Sequence, residues 1–484
     1  MLKRILISVK ELGILPDWPE WALDVLIVMS IFLAITLVVT SLNIPEDERE
    51  ATKSVDEKRD PKTEGMKKSH KELHDEFDKF RRKYILVYLV IMLADWMQGT
   101  HMYTLYLSYG VNISTLFLTG FLSGAISAPF LGSAVDKFGR KRSCIFYCIL
   151  EIVINTMEHS TNFKILLTGR VLGGISTNLL FSAFESWMTT EHRRRGFPEE
   201  WLSRTYSEAS IGNGSMAIFA GILAQVLEDK FGHIGPFQGA IVLTVLALVL
   251  VSGWEENYGE KKDGTKGRSS IYSQFIDGWT TTIKDSRVWK IGFTQALSEG
   301  AMYTFVFMWV PTLLSQDPPG GVPTGCVFSS LMMAITIGGA IFPPFQSLIS
   351  SVYSKTFSSE ILASLIYLVA AISMAIPAAC MSGMLQLEDC FIITVISFLT
   401  MELCVGLFMP VAGILRSKYV PDSQQGAILN IFRLPLNAIV VAGTYATDVL
   451  DTSTVFALIS IFLLSAALLQ ASLINNRVPR EKQE

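Results

Sequence analysis

The sequence contains Gly132-Ser-Ala-Val-Asp136-Lys-Phe-Gly139-Arg140-Lys-Arg142, a polar turn that lies between two apolar runs. Four of its eleven residues are Lys or Arg, and basic residues in a short loop between membrane spans mark the cytoplasmic side. Gly132 allows neighbouring helices to approach closely, and Gly139 permits the bend that returns the chain. The turn therefore predicts the orientation of the flanking spans, and a cytoplasmic gate formed by Gly132, Asp136, Gly139 and Arg140.

The composition predicts an all-α polytopic membrane protein. Of the 484 residues, 50% are hydrophobic and only 17% are charged, whereas a soluble protein carries about 25% charged residues. The apolar residues come in blocks, and a helix of about 20 residues crosses a hydrocarbon core. The lipid bilayer is thus the first expected partner of the chain.

Several function classes lack support in the sequence. There is no nucleic-acid-binding signature and no G-x-x-x-x-G-K-[ST] nucleotide loop, so ATP-driven pumping is not expected. The six cysteines lack metal-site spacing, and we expect neither a metal nor a cofactor. Cys380 and Cys390 flank one predicted outer loop and could either pair or remain free thiols. No nucleophile and base stand together, so an enzyme is not expected.

The apolar runs predict one helix before a core of twelve spans. Residues 43–83 hold many more Lys and Arg than the three before the first span, which places the N-terminus outside and this segment in the cytosol. The predicted regions are an extra helix in 1–42, a charged segment 43–83, a six-helix bundle 84–253, a linker 254–287, a second bundle 288–476 and a cytosolic tail 477–484. The core spans are predicted at 84–107, 113–135, 143–158, 163–189, 205–228, 235–253, 288–314, 323–351, 358–380, 389–415, 424–448 and 452–474.

Polar residues inside these spans are the candidates for function, because ionisable groups are expensive in a membrane. Arg170 and Arg433 lie in different halves, and an anion held at the midplane between the halves would need cations from both. A guanidinium suits a tetrahedral oxyanion because its planar fork donates two parallel hydrogen bonds. The other predicted substrate-binding residues are Asp95, Gln98, Glu185 and Asn430.

Membrane carboxylates are the candidates for coupling transport to protons, namely Glu151, Glu185, Asp95, Glu299 and Glu402. One alternative is structural: Glu151 or Glu185 could simply neutralise Arg170 in an ion pair. Glu208, near the end of a span, is expected at the membrane interface.

The polar turn also resembles the G-x-x-x-D-[RK]-x-G-R-[RK] loop of the major facilitator superfamily, and 169–174 resembles the signature of its fourth helix. Longer strings resemble the molybdate-anion transporter branch of that superfamily. The resemblance implies two six-helix bundles around a central cavity and uptake of molybdate. We expect the protein in the plasma membrane, with its C-terminus in the cytosol. The strings are Ala94-Asp-Trp-Met-Gln98, Gly169-Arg-Val-Leu-Gly-Gly-Ile-Ser176, Leu180-Phe-Ser-Ala-Phe-Glu-Ser-Trp187, Phe197-Pro-Glu-Glu-Trp201, Trp254-Glu-Glu-Asn-Tyr258 and Ala427-Ile-Leu-Asn-Ile-Phe-Arg-Leu-Pro-Leu436.

The mechanism stays open at this point. Moving a dianion into a negative interior costs about 4.6 kcal/mol per 100 mV, so uptake needs a compensating process. Proton coupling and exchange against an internal anion are both compatible with the sequence. A carrier for another anion or an organic solute, and a non-transporting sensor that signals through 43–83, are the alternative functions.

Overall fold

The computed structural model describes residues 18–42, 64–258, 279–352, 358–385, 389–421 and 425–474, and every regular element within these ranges is a helix. The prediction of an all-α membrane protein is confirmed. The helices before the predicted linker are α1 Glu20–Leu42, α2 Glu64–Tyr109, α3 Ile113–Phe138, α4 Arg140–Met157, α5 Phe163–Arg194, α6 Glu199–Phe231 and α7 Gly235–Ser252. Those after it are α8 Ser286–Ser315, α9 Thr324–Val352, α10 Ser358–Met381, α11 Cys390–Tyr419, α12 Gln425–Val449 and α13 Thr452–Ile474.

Within the described ranges, nine of these helices are long and apolar enough to cross a membrane. Two helices extend beyond the spans predicted for them. The span predicted at 84–107 is the second part of α2, which begins at Glu64, because Phe77 and Phe80 are buried and continue the apolar face into the charged segment. The predicted polar turn is also shorter than expected, since Gly132 to Phe138 belong to α3 and only Gly139 breaks the helix.

The chain divides into two compact units, of which unit 1 comprises residues 1–18, 37–262 and 323–329. Its α3 and α5 approach backbone to backbone: a Cβ at Gly174 would overlap the main chain of Gly120 and Gly124. Two hydrogen bonds fix this contact, from Ser123 Oγ to the carbonyl of Val171 (2.6 Å) and from Asn178 Nδ2 to that of Gly124 (2.7 Å). Close packing of small residues is a common way for membrane helices to associate.

Unit 2 comprises residues 19–36, 263–322 and 330–484. A column of buried rings joins α8, α11 and α13, with centroids 5.0 Å apart for Phe305 and Phe398 and 5.5 Å apart for Phe398 and Phe456. The first part of α1 packs on this unit through Trp21, whose ring meets that of Phe391 edge-on at 4.7 Å. The aromatic core thus sets the spacing of the helices that carry the polar residues of unit 2.

Candidate functional site

Arg170 lies on α5 and is held by a cluster of residues from α2 and the end of α4. Its Nη2 lies 3.2 Å from Glu158 Oε1, and its Nη1 lies 2.8 Å from Met102 Sδ. Tyr106 Oη donates to the same Glu158 oxygen at 2.9 Å. Glu158 is 1% exposed and the Arg170 side chain 13%, so the pair is almost removed from solvent. The cation is therefore neutralised, by a residue that the sequence analysis did not select.

Glu158, rather than Glu151 or Glu185, is the partner of Arg170. Glu158 is the last residue of the predicted third span and caps α4 at its C-terminus, and it was not among the predicted candidates. The short connection to α5 brings it back beside Arg170. Glu158 Oε2 and Arg170 Nε are buried without a hydrogen-bond partner among the described residues. Because an unsatisfied buried charge is costly, this pair has capacity for a further ligand.

Glu151 lies in a separate polar cluster within unit 1. It accepts hydrogen bonds from Gln98 Nε2 (3.0 Å), Ser176 Oγ (2.5 Å) and Asn155 Nδ2 (3.3 Å). Asp95, one turn before Gln98, shares the amide of Gln98 with Glu151. The structure therefore brings together three of the predicted residues, Asp95, Gln98 and Glu151. Ser176 was missed because a lone serine in an apolar run carries no signal of its partner.

Glu185 is exposed near the other end of α5 and accepts a hydrogen bond from Tyr206 Oη at 3.1 Å. Fifteen residues of helix, about 22 Å, separate it from Arg170, so it cannot neutralise that cation. Glu208 is partly exposed and pairs with Arg81 of α2 at 3.2 Å.

The turn after α3 is built around Gly139, whose φ of +106° favours glycine. Asp136 pairs with Arg140 at 2.7 Å, and Arg140 also donates to Thr190 Oγ1 of α5. The carboxylate of Glu256 accepts the N–H groups of Lys141 (2.8 Å) and Arg142 (3.2 Å), and so caps α4 from outside its own helix. A carboxylate at a helix N-terminus is stabilising because it meets free N–H groups and the positive end of the dipole.

The first residues of the predicted linker pack against unit 1. The ring of Trp254 stacks on Trp187 with centroids 3.8 Å apart, and Trp187 Nε1 donates to the carbonyl of Glu255 at 2.8 Å. The carbonyl of Asn257 accepts the N–H of Arg140 at 3.0 Å. Residues 254–257 thus connect the Gly139 turn to the C-terminal part of α5. The prediction of a linker at 254–287 did not include these contacts.

Nearby, Glu191 of α5 is fully buried and accepts from Arg194 and Arg195, each at 2.9 Å. Arg194 also pairs with Glu255. Arg194 and Arg195 are therefore partly neutralised by carboxylates of their own unit.

The predicted residues of unit 2 lie on three helices. Arg433 is exposed on α12, and Asn430 lies on the same helix with its side chain outside the described residues. Glu402 is 3% exposed within α11. Glu299 of α8 is hydrogen-bonded by Gln295, and both Arg416 and Arg433 act on it electrostatically. Arg416 Nη1 in turn donates to Gln295 Oε1 at 3.2 Å, which makes Gln295 a bridge between cation and carboxylate.

All six cysteines are free thiols, which decides between the two alternatives left open for Cys380 and Cys390. In the described part of the chain, no group of three or more His, Cys, Asp or Glu residues could hold a metal ion.

Comparisons with known proteins place this chain among membrane transporters. Residues 62–396 match a family model described as sugar transporters with 12 transmembrane segments. The molybdate-anion transporter of Xenopus tropicalis is 33% identical over 426 residues, covering 82% of this chain and 86% of the relative. That of Danio rerio is 30% identical over 394 residues, covering 76% and 79%.

Solved structures agree on the fold. The nucleoside transporter NupG superposes with a TM-score of 0.61 at 11% identity, covering 82% of this chain and 99% of that structure. A peptide transporter in complex with sulfate gives 0.62 at 14% identity, covering 82% and 94%. At these identities the likeness shows the fold alone.

Proposed function

Because the chain belongs to the major facilitator superfamily, in the branch of the molybdate-anion transporters, we propose that it takes up molybdate across the plasma membrane by secondary active transport. The conformational cycle would be rocker-switch alternating access, in which the two units move as bodies. The identity to the molybdate-anion transporters extends over about four fifths of the chain and supports this substrate.

One observation carries the proposal for the site: Arg170 is a partly buried guanidinium whose Nε has no partner among the described residues, although its Nη2 pairs with Glu158. The N–H groups of a guanidinium lie in one plane, so two of them can donate parallel hydrogen bonds to two oxygens of a tetrahedral anion. Arg433, exposed on α12, is the second cation that we propose to contact the anion. Gln98 and Asn430 would add amide donors.

The anion at Arg170 would compete with Glu158 for the same N–H groups. If the anion displaces Glu158, that carboxylate loses its cation while it stays buried, and an uncompensated buried charge is strongly unfavourable. Taking up a proton removes that charge. We therefore add Glu158 to the proton-coupling candidates and place it ahead of Glu151, which already accepts three hydrogen bonds from neutral groups.

Proton uptake would also answer the energetic problem of the substrate, since entry of a dianion costs about 4.6 kcal/mol per 100 mV. Two protons carried with each molybdate would make the cycle electroneutral. Asp95, Glu299 and Glu402 remain candidates for the second proton, and exchange against an internal anion is the alternative.

The second candidate function is uptake of an organic solute, because the matching family model is described as sugar transporters. The exposed Glu185 and the amides of Gln98 and Asn430 would then bind hydroxyl groups, and Arg170 would be a structural residue paired with Glu158. Substrate competition separates the two functions.

The test is uptake of molybdate into cells that express the full chain, with Arg170→Gln and Arg433→Gln variants at matched surface expression. Arg204→Gln is the control, since this arginine is exposed on α6 and its nearest carboxylate, Glu208, lies 3.7 Å away. We expect saturable uptake that tungstate and sulfate inhibit, that each site variant loses and that the control keeps. Uptake inhibited by sugars rather than oxyanions, or unaffected in both site variants, would contradict the proposal.

A further inference from the structure

Two histidines of unit 1 share the carboxylate of Glu228. Glu228 lies near the end of α6, and His233 lies in the turn that leads to α7. The Nδ1 atom of His233 is 2.6 Å from Glu228 Oε1, and the Nε2 atom of His101, on α2, is 2.9 Å from Glu228 Oε2. The two oxygens of one carboxylate therefore connect two imidazoles from different parts of the chain.

These three side chains run from an exposed turn into the interior of unit 1. The side chain of His233 is 49% exposed, that of Glu228 14% and that of His101 0%. His101 lies eight residues before the end of α2, which corresponds to about 12 Å along the helix axis. The charge pattern predicts that the turn between α6 and α7 faces the outside, so the series begins at the predicted outer surface.

Gln225 and Asp229 hold the Glu228 carboxylate in position. The Nε2 atom of Gln225 donates to Glu228 Oε2 and to Asp229 Oδ1, each at 3.0 Å, and Gln225 Oε1 accepts the N–H of Gly325 at 2.8 Å. Asp229 Oδ2 accepts in turn from Trp18 Nε1 at 2.8 Å. Because these bonds come from three separate segments of unit 1, the carboxylate is kept between the two imidazoles.

The arrangement differs from that of a structural histidine and from that of a metal site. A buried histidine that only stabilises a fold has its ring nitrogens hydrogen-bonded, since an unsatisfied buried polar atom is costly. Neither ring nitrogen of His101 makes an aligned hydrogen bond with a described residue, although Nε2 is at ion-pairing distance from Glu228. The two oxygens of Glu228 approach different rings, and no group of three or more described His, Cys, Asp or Glu residues could hold a metal ion. The imidazole of His101 can therefore take up and release a proton.

Glu228 is the nearest charged group that the helices packed against α2 present to His101. These helices are α6, α7 and α3. Helix α7 has no ionisable residue, and those of α3 are Asp136 and Lys137 at its far end. The ionisable residues at the same end of α6 are Glu228, Asp229 and the exposed Lys230.

The inner end of the series lies beside the residues proposed for transport. Met102, the residue after His101, has its Sδ 2.8 Å from the guanidinium that pairs with Glu158. Gln98, one turn before His101, donates to a second buried carboxylate, that of Glu151. A proton on His101 is thus within about one helical turn of both carboxylate clusters of unit 1.

We propose that His233, Glu228 and His101 form a relay that carries protons from the outer surface into unit 1, a role that rests on the proposed proton-coupled transport. A proton from outside adds to Nε2 of His233, whose Nδ1 proton passes to Glu228 Oε1. Rotation of the carboxyl group presents this proton to Nε2 of His101, and the Nδ1 atom of His101 releases a proton inward. Imidazoles suit this role because they gain and lose protons near neutral pH and carry two ring nitrogens.

The experiment uses the purified full-length protein in liposomes that contain a pH-sensitive dye. Molybdate is added outside at a series of external pH values, and the rates of molybdate entry and of acidification inside are both recorded. We expect His233→Ala to lower the maximal rate at neutral pH by about tenfold. The KM for molybdate should stay unchanged, because the relay does not contact the substrate. The deficit should shrink as the external pH falls, since Glu228 can then be protonated directly.

Chemical rescue separates a proton carrier from a structural residue. Imidazole added outside can replace the side chain lost in His233→Ala, because this position is exposed. It should restore that variant but not His101→Gln, whose site is buried. His159→Ala is the matched control, since His159 is also exposed at the predicted outer end of unit 1 and its ring contacts the backbone carbonyl of Asn155. This control should behave like the wild type with and without imidazole.

The possible failures of the relay and of the proposed function give different results. Acidification at the wild-type rate in both His233→Ala and Glu228→Gln would overturn the relay and leave the proposed uptake intact. A slow His233→Ala variant that imidazole does not restore would also overturn it. Molybdate entry without acidification in the wild type would overturn the relay and the proton coupling but not the substrate. No molybdate entry at all would contradict the proposed function and the relay together.

Discussion

Arg170 and Glu158, twelve positions apart on α5 and at the end of α4, form a buried ion pair in which Nη2 and Oε1 are 3.2 Å apart. Tyr106 donates to the same oxygen, while Oε2 has no partner among the described residues. The pair is almost inaccessible to solvent, and its unpartnered carboxylate oxygen has hydrogen-bonding capacity for another ligand. It is the relationship on which the proposed coupling depends.

Changing Glu158 to Gln should remove the proton-dependent part of uptake. The amide of this variant can still accept a hydrogen bond from Tyr106. Unlike the carboxyl group of Glu158, however, it cannot bind a proton in one step of the transport cycle and release it in another. We expect molybdate uptake by Glu158→Gln to vary little along an external pH series over which the wild type is stimulated by acid. Glu200→Gln is the control, because this carboxylate is exposed in the first turn of α6, and it should keep the wild-type profile. A steep profile that survives in Glu158→Gln would rule out this residue as the proton carrier.

Changing Ser176 to Ala should destabilise unit 1. The substitution removes the 2.5 Å hydrogen bond to the buried carboxylate of Glu151, and loss of a bond to a charged group costs about 1–3 kcal/mol. The expected result is a lower melting temperature of the purified protein. Ser182→Ala is the control, because its hydroxyl bonds only to the carbonyl of Asn178 within the same helix. Equal melting temperatures for the two variants would contradict this role of Ser176.

Changing Glu256 to Ala should loosen the Gly139 turn. The carboxylate caps α4 through the N–H groups of Lys141 and Arg142, and such a cap contributes about 1 kcal/mol. Hydrogen exchange of these two amides should accelerate by about fivefold, which corresponds to that free energy. The neighbouring Glu255→Ala variant loses only an exposed pair with Arg194 and should exchange like the wild type. Unchanged exchange in Glu256→Ala would show that the cap is not stabilising.

Asp285, at the start of α8, should make a pH-dependent contribution to the free energy of unfolding. It accepts the N–H of Arg287 at 2.9 Å and pairs with its guanidinium, and this hydrogen bonding with Arg287 holds the pKa of Asp285 below its ordinary value. A lowered folded-state pKa stabilises the fold at pH above the unfolded value of about 3.9, and the contribution disappears as pH falls through the folded pKa. Melting curves of wild type and Asp285→Asn should therefore differ at neutral pH and converge in acid. A constant difference at all pH values would contradict this assignment.

The helices could be predicted from the sequence because each depends on its own residues. The span predicted at 452–474 is α13, and the one predicted at 358–380 differs from α10 by one residue. An apolar run of about 20 residues satisfies its backbone hydrogen bonds internally and needs no partner to define its length. Helix α2 begins well before its predicted span because the buried Phe77 and Phe80 pack its N-terminal part against unit 1. Local hydropathy does not predict this extension, since the segment is rich in charged residues.

Candidate polar residues in the membrane could also be selected from the sequence, because an ionisable residue in an apolar run can be recognised without knowing what it contacts in the fold. What the tertiary structure decided is which of these groups meet. Glu158 pairs with Arg170, Glu256 caps a helix more than a hundred residues away, and Glu228 lies between His101 and His233. These contacts depend on how each helix is rotated about its axis against its neighbours. That rotation is fixed by side chains on several helices at once, such as the Gly120, Gly124 and Gly174 contact, and no single stretch of sequence contains it.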